Sequence, residues 1–343
     1  MWKWLLHSVT QAYYDARKNK RNTVNQSRFE RHLAANIIKL AKDIFHGKYK
    51  VAASIAFIIE NTVKREVFAA TFRDRIVHHL LYNWLMPIFE PLFIFDSYSC
   101  RKGKGTDFGA ERLRKHIRQV SQSYTRPCWI LKLDLTGYFI SINRQKLYDI
   151  IIRTIQREGA DRKPEWPIID YLLRKVIFND PTKGCRFRCS RSLWDGLPKT
   201  KSLFFALFKC GLPIGNLTSQ LFSNVFLNEL DQFVKRVLKV KHYGRYVDDS
   251  YYVAATKEEL LTLIEPIRTF LKQELGLTLH PNKIFLQRAE DGVTFLGKFI
   301  KDDKIVPSKR CRRKARNHMA EVEVYERNPY KVKAVSAAYG GLV

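Results

Sequence analysis

The chain has 343 residues, of which 61 are Lys or Arg and 33 are Asp or Glu, leaving a formal charge of +28. Apolar residues at 45% and charged residues at 27% are ordinary globular values, which excludes a disordered chain, and no run of about 20 apolar residues is present to cross a membrane as a helix. Such a cationic excess goes beyond what solubility requires and points to a polyanion, with aromatics at 13% available to stack on bases.

Six cysteines contain no C-x-x-C pair, and the close pair Cys185 and Cys189 reads as two reduced thiols rather than a metal site. Trp2 to Leu6 is too short for a signal sequence, so the expectation is a soluble intracellular protein with no membrane contact.

Taken in order, residues 1 to about 50 predict helices: Ala34, Ile37, Ile38, Ala41 and Ile44 form a stripe that Gly47 ends. The preceding segment is basic, with Arg17, Lys18, Lys20, Arg21, Arg28 and Arg31 suited to RNA. Val51 to Phe72 carries β-type residues with Lys64 and Arg65 in a turn, and a helix through Ile76, Leu80 and Leu85 should run to Pro87. Residues 97 to 109 hold a basic glycine loop that matches no nucleotide-cradling fingerprint and suits flexible contact with a phosphate backbone.

Trp129 to Asp134 is an apolar strand ending in a carboxylate, a costly place for a charge unless a cation meets it. A helix led by Asn143 follows, and 179–209 is a Pro-, Lys- and Arg-rich surface insertion between helices. Gly211 to Gln220 reads as a loop feeding a helix through Phe222, Phe226, Leu230, Phe233 and Val237. Tyr246-Val247-Asp248-Asp249 reads as strand, tight turn, strand. Beyond it come a helix from Lys257 to Leu275 stopped by Gly276, a strand over Leu277 to Leu279, a hairpin at Phe295 to Phe299 and a basic helix from Ser308.

If the strands carrying Asp134 and Asp248-Asp249 meet at one sheet edge, the cluster suits Mg²⁺, whose hard oxygen ligands are carboxylates and substrate phosphates. Two such ions activate a 3′ hydroxyl and neutralise a leaving pyrophosphate, which is nucleotidyl transfer.

The order of these motifs resembles a reverse transcriptase from Lys64 through Gly297: a basic fingers segment, Asp134 with Phe139, Pro-x-Gly-x-x-x-Ser, Tyr-x-Asp-Asp, Leu-x-Leu-x-x-x-Lys, and Phe-Leu-Gly. The resemblance implies an α+β right-hand polymerase, an RNA-directed DNA polymerase of the nucleotidyltransferase class. Its helical and β fingers would take 1–126, an antiparallel palm packed on helices 127–300 with the insertion 179–209, and a basic helical, partial thumb 301–343.

It implies that Asp134, Asp248 and Asp249, with the Leu135 carbonyl, hold two Mg²⁺ ions, Mn²⁺ being a substitute, and that Lys283 protonates pyrophosphate. Phe139 corresponds to the steric gate selecting deoxynucleotides; Arg65, with Lys64 and Arg75 as lesser candidates, corresponds to the triphosphate grip, and Phe295, Leu296 and Gly297 to the primer grip. The lysine that relatives place before Arg65 has no counterpart among Glu60, Asn61 and Thr62.

Most reverse transcriptases have Gln-Gly-x-x-x-Ser-Pro where this chain has Ile214-Gly215-Asn216-Leu217-Thr218-Ser219-Gln220, and Ile with Gln at those ends resembles the enzymes of diversity-generating retroelements. That implies error-prone copying of a template-repeat RNA at adenines for mutagenic retrohoming, in a bacterial or phage-encoded cytoplasmic system. The implied partners are template RNA, a cDNA or primer strand, dNTPs and a basic ring-forming accessory variability protein. Alternatives are a retron, intron-like or phage-defence reverse transcriptase, and a non-catalytic RNA-binding scaffold. The chain stops at Tyr339 to Val343, where such relatives continue, so a short thumb with no nuclease domain is expected.

Overall fold

The computed structural model describes residues 1–18, 23–60 and 63–324, the last seven as backbone alone. Lys20, Arg21, Asn61, Thr62 and the stretch 325–343, which sequence assigns to the basic N-terminal segment, the fingers turn and the thumb, lie outside the described residues.

Three helices open the chain, α1 (Trp2–Lys18), α2 (Val24–Glu30) and α3 (Leu33–Phe45), before the antiparallel hairpin β1 (Ile55–Ile59) and β2 (Arg65–Ala69). Next come α4 (Phe72–Phe89), α5 (Thr106–Val120), β3 (Trp129–Leu135), α6 (Tyr138–Ser141), α7 (Arg144–Arg157), α8 (Trp166–Ile177) and β4 (Arg186–Phe187). Helix α9 (Leu217–Gln232) precedes the hairpin β5 (Tyr243–Tyr246) and β6 (Asp249–Ala254), and α10 (Lys257–Phe270) precedes β7 (Leu279–Arg288). Strands β8 (Val293–Phe295), β9 (Lys298–Lys301) and β10 (Lys304–Pro307) lead into α11 (Lys309–Val324).

Two units divide the chain. The first takes Met1–Ile94, Leu135–Phe233 and Arg268–Leu279, and the second takes Phe95–Asp134, Val234–Ile267 and the chain from His280 onward. In the first, Ile37, Leu40, Ala41 and Ile44 are buried at helical spacing, and Gly47, at φ +67°, ends that turn in the left-handed region where glycine has no Cβ penalty. Helix α9 is buried on nearly every side, through Leu221, Phe222, Val225, Phe226, Leu227 and Leu230, which marks it as the core helix of this unit. Asp74 caps α4 with Thr71 and also accepts from the Tyr49 hydroxyl at 2.8 Å and Ala52 N–H at 3.0 Å.

In the second unit the sheet order is β5-β6-β3-β7, with β3 antiparallel to β6 and Leu133 opposite Ser250. Behind it, Tyr98, Ala110, Leu113, Ile117, Ile130 and Tyr251 form one buried cluster. A separate three-stranded sheet, β10-β9-β8, completes the unit.

Four local expectations are corrected. Helix α4 continues through Pro87, because proline's lost N–H bond and ring clash fall in the last turn and are outweighed by the burial of Leu85 and Phe89 on either side of it. Helix α9 begins at Leu217, so Thr218, Ser219 and Gln220 are helical rather than loop. Arg65 opens β2 instead of sitting in the turn, paired across from Ile59. The strand after Gly276 starts at Leu279 and runs ten residues, since the Leu277 N–H is spent closing the turn onto the Leu271 carbonyl.

Candidate active site

The hairpin at Asp248 is built by strain and a clasp. Strands β5 and β6 pair Tyr246 with Asp249, so the turn is only Val247-Asp248, and Val247 sits at φ +55°, costly for a β-branched residue. Arg245, 1% exposed, offsets this by donating from Nη1 to the Val247 carbonyl at 2.8 Å. Backbone bonds on both sides fix Arg245 itself: its N–H donates to the Asp96 carbonyl and its carbonyl accepts from Tyr98 N–H.

A polar network braces β6 from below. The Tyr251 and Tyr98 hydroxyls lie 2.7 Å apart, Tyr98 donates to Asp96 at 3.0 Å, and Arg112 grips both Asp96 oxygens at 2.6 and 3.0 Å. His116 Nδ1 reaches the Tyr251 hydroxyl at 3.1 Å, and burial holds that imidazole down at about 4, so it is neutral. Gly244 is required here, because a Cβ would lie 2.4 Å from the Tyr98 hydroxyl oxygen and 2.6 Å from the Tyr251 ring.

Because β3 and β6 are neighbours, Asp134, Asp248 and Asp249 line one cavity of about 310 Å³, together with Lys132, Leu133, Lys283 and Phe285. Asp134 and Asp249 sit on the inner strands β3 and β6 rather than on an edge strand, and Asp248 sits in the turn between β5 and β6, which corrects the sequence expectation. Burial, then the charge of Asp134, pushes the Asp248 carboxyl up to about 7; burial, opposed by Lys132, pushes Asp249 up to about 6. Lys283 on β7 makes a close ion pair with Asp134, and Lys132 donates to the Thr294 carbonyl at 2.8 Å.

The donor set fits a divalent cation, since like-charged carboxyls that resist ionisation together are relieved by one. Among the described residues, however, no three acidic, imidazole or thiol side chains are gathered so as to hold a metal ion by themselves. A site completed by substrate phosphates and water has that character.

Not every expected residue is in this cavity. Phe295 is 1% exposed with its ring 5.1 Å from that of Tyr251, so its side chain belongs to the core; the surface feature is the Leu296-Gly297 turn, at φ +51° and +81°.

Leu135, Phe139, Ile214, Gly215, Gln220, Lys64, Arg65 and Arg75 belong to the first unit. There Leu135 closes β3 and is buried, while the Phe139 carbonyl on α6 accepts from Leu212 N–H at 2.8 Å, tying half-buried Phe139 to the segment that leads into Ile214. That segment lies alongside β2: Phe68 N–H donates to the Ile214 carbonyl at 3.0 Å and Ala70 N–H to Asn216 Oδ1 at 3.1 Å. Gly215, at φ +117°, has no room for a Cβ beside Val67. Arg65 and Gln220 are exposed. Lys64 is engaged by Glu60 at 3.2 Å and by the Asp195 carbonyl at 2.8 Å, and Arg75 donates to the Ala70 carbonyl at 3.3 Å, so neither is poised for a nucleotide as it stands.

Sequence reading missed Arg245, Lys132 and Phe285. An arginine inside an otherwise apolar strand flank was the available signal for the first; the other two became site residues only through strand pairing.

Comparison with known proteins agrees with this geometry. The family model described as reverse transcriptase (RNA-dependent DNA polymerase) matches residues 61–300. Protein YkfC of Escherichia coli (strain K12) is 23% identical, over 80% of this chain and 73% of its own length. Nuclear intron maturase 1, mitochondrial, of Arabidopsis thaliana is 25% identical over 53% of this chain and 28% of its own. Among solved structures, apo telomerase from Candida tropicalis, truncated from its C-terminal domain, superposes with a TM-score of 0.52 at 13% identity, covering 81% of this chain and 60% of that one. The chain thus spans only part of the telomerase and maturase chains. No helix among the described residues is long and apolar enough to cross a membrane.

Proposed function

From a chain that belongs to the reverse transcriptase (RNA-dependent DNA polymerase) family and carries its α+β right-hand polymerase fold, we propose an RNA-directed DNA polymerase that copies a template-repeat RNA into adenine-mutagenised cDNA. The observation that carries the polymerase reading is the gathering of Asp134, Asp248, Asp249 and Lys283 around one cavity.

In this reading the three carboxylates and the Leu135 carbonyl hold two Mg²⁺ ions, or Mn²⁺ in their place. Bound there, the ions supply activation of the 3′ hydroxyl and charge neutralisation at the pyrophosphate. Lys283 gives its proton to the leaving pyrophosphate, and its ion pair with Asp134 holds it at that side of the cavity beforehand. Phe139 excludes a ribose 2′ hydroxyl, Arg65 grips the triphosphate as a bidentate cation, and the Leu296-Gly297 turn steadies the primer end. Lys64 and Arg75 would first have to leave their present partners. Fingers over 1–126, palm over 127–300 and thumb over 301–343 are part of the same proposal.

The finer reading, mutagenic retrohoming with a basic accessory protein, rests on Ile214 and Gln220 standing where most reverse transcriptases have Gln and Pro. Ile214 offers no side-chain hydrogen bond near the incoming sugar, so a correct nucleotide loses about 1 kcal/mol of its advantage. A second reading, an intron-related reverse transcriptase without targeted mutagenesis, is favoured by the similarity to the plant maturases.

Primer extension on an RNA template, with errors counted by template base, separates them. Errors concentrated at adenine support retrohoming, and an even, low error rate supports the intron-related reading. Asp248→Asn should abolish extension while retaining RNA binding; extension that survives would remove Asp248 from the metal site, and RNA binding without any extension by the wild-type chain would leave a non-catalytic scaffold as the better account.

A further inference from the structure

The insertion between α8 and α9 is firmly anchored, yet it leaves large rings in solvent. Glu66 on β2, only 3% exposed, accepts from Trp194 Nε1 at 2.6 Å, from the Ser202 hydroxyl at 2.7 Å and from Leu203 N–H at 2.6 Å. Strand β4 adds parallel to β1, and Leu203 packs with Ala56 and Phe68 while Phe187 and Trp194 close over them. At the other end Arg144 N–H donates to the Lys209 carbonyl at 2.9 Å, and Cys210 bridges to Asn143. Between these anchors Phe205, Leu207 and Phe208 are 57%, 79% and 87% exposed.

A chain that folds the same insertion around Phe187, Trp194 and Leu203 buries rings where it can, so apolar exposure on this scale marks a contact surface. Its charge says what kind. All seven Lys and Arg from Lys183 to Lys209 are exposed, against one acid, Asp195. Lys199 Nζ lies 5.4 Å from the Phe205 ring and Lys209 Nζ 5.4 Å from the Phe208 ring. A π-face with a cation at its rim matches an unpaired base beside its phosphate. An apolar protein patch would leave those cations unmatched.

We propose that this face of the first unit is a stacking platform for single-stranded RNA, with Phe205 and Phe208 taking unpaired bases and Lys199, Lys201 and Lys209 meeting their phosphates. The choice of RNA over other single strands rests on the proposed function; the platform itself lies on the unit that does not carry Asp134, Asp248 and Asp249.

The test uses the full chain without divalent ions, a 12-nucleotide oligouridylate and a 12-base-pair RNA duplex, at raised salt where background attraction to the charged chain is screened. Phe205→Ala with Phe208→Ala is expected to weaken single-strand binding about 100-fold, roughly tenfold per ring, and to leave duplex binding unchanged. Replacing Lys199, Lys201 and Lys209 by Ala should lower the slope of log affinity against log salt by about 2. Phe208→Trp should keep binding and show indole quenching by the oligouridylate.

Unchanged single-strand affinity in the ring variant overturns the inference, as does an equal loss on duplex. So does unchanged RNA affinity with altered sedimentation, which would assign the face to protein contact. Primer extension by the wild-type chain reports on the proposed function separately: extension with no effect of the ring variant sinks only the platform, and a ring effect with no extension sinks only the polymerase reading.

Discussion

The guanidinium of Arg245 and the carbonyl of Val247 are 2.8 Å apart, which makes a buried cation the clasp of the two-residue turn that presents Asp248. The clasp matters because Val247 occupies a conformation that its branched side chain disfavours, and the turn would relax without it.

Arg245→Met should therefore lower stability by about 2 kcal/mol, the worth of a charge-assisted bond to a buried group, and cut the primer-extension rate by at least about tenfold. RNA affinity should stay near wild type. Thermal melts and single-turnover extension measure the two effects, and a variant that melts lower but extends normally would refute the clasp.

The contribution of Asp248 and Asp249 to stability should fall as pH rises. Asp248 and Asp249 are pushed up to about 7 and about 6, above the ordinary carboxylate range near 4, so the folded chain holds these protons more tightly than the unfolded one. Their contribution is fully present below the unfolded value and is lost as pH climbs through 6 to 7. Buried His116, held neutral down to about 4, pulls the other way, so the Asp contribution is read as a difference: without divalent ions the melting temperature of the wild-type chain relative to the Asp248→Asn, Asp249→Asn variant should drop between pH 5 and pH 8. Millimolar Mg²⁺ should raise the wild-type melting temperature more at pH 8 than at pH 5, and the double variant should lose the Mg²⁺ shift. A Mg²⁺ shift that persists in that double variant would place the ion elsewhere.

Asn216 is expected to set the position of Ile214. Its Oδ1 accepts Ala70 N–H, continuing the bond between Phe68 N–H and the Ile214 carbonyl, so Asn216→Ala leaves a buried donor unpaired at a cost of about 1 to 3 kcal/mol. The expected outcome is a lower melting temperature and a changed error spectrum in primer extension. Asn216→Asp keeps the acceptor and should rescue both; rescue of stability without rescue of the error spectrum would limit Asn216 to a structural part.

Ile214→Gln restores a side chain that can hydrogen-bond near the incoming sugar. Misincorporation opposite template adenine should fall several-fold, the equivalent of about 1 kcal/mol. Counting errors by template base in primer extension checks it, and an unchanged adenine rate would remove Ile214 from the explanation of fidelity.

How much of this was legible beforehand depended on whether the signal was local. The β5–β6 hairpin, the strand carrying Asp134 and the stop at Gly276 follow from neighbouring residues: β-type flanks around a turn, a continuous apolar run, and a glycine free to take φ +67°. Pro87 misled for the converse reason, because a local breaker was outweighed by the burial of residues around it.

What the amino-acid sequence determined by itself was the order of the motifs and most of the secondary structure that bears them, since both depend on residues a few positions apart. Tertiary structure alone decided which side chains share a site. It brought Lys283 to Asp134 across 149 positions, spent Lys64 on the Asp195 carbonyl across 131, and turned Glu66 into the anchor of an insertion more than a hundred residues downstream. Those pairings come from strand register and from the need of buried polar groups to find partners, and neither is set by a residue's own neighbours in the chain.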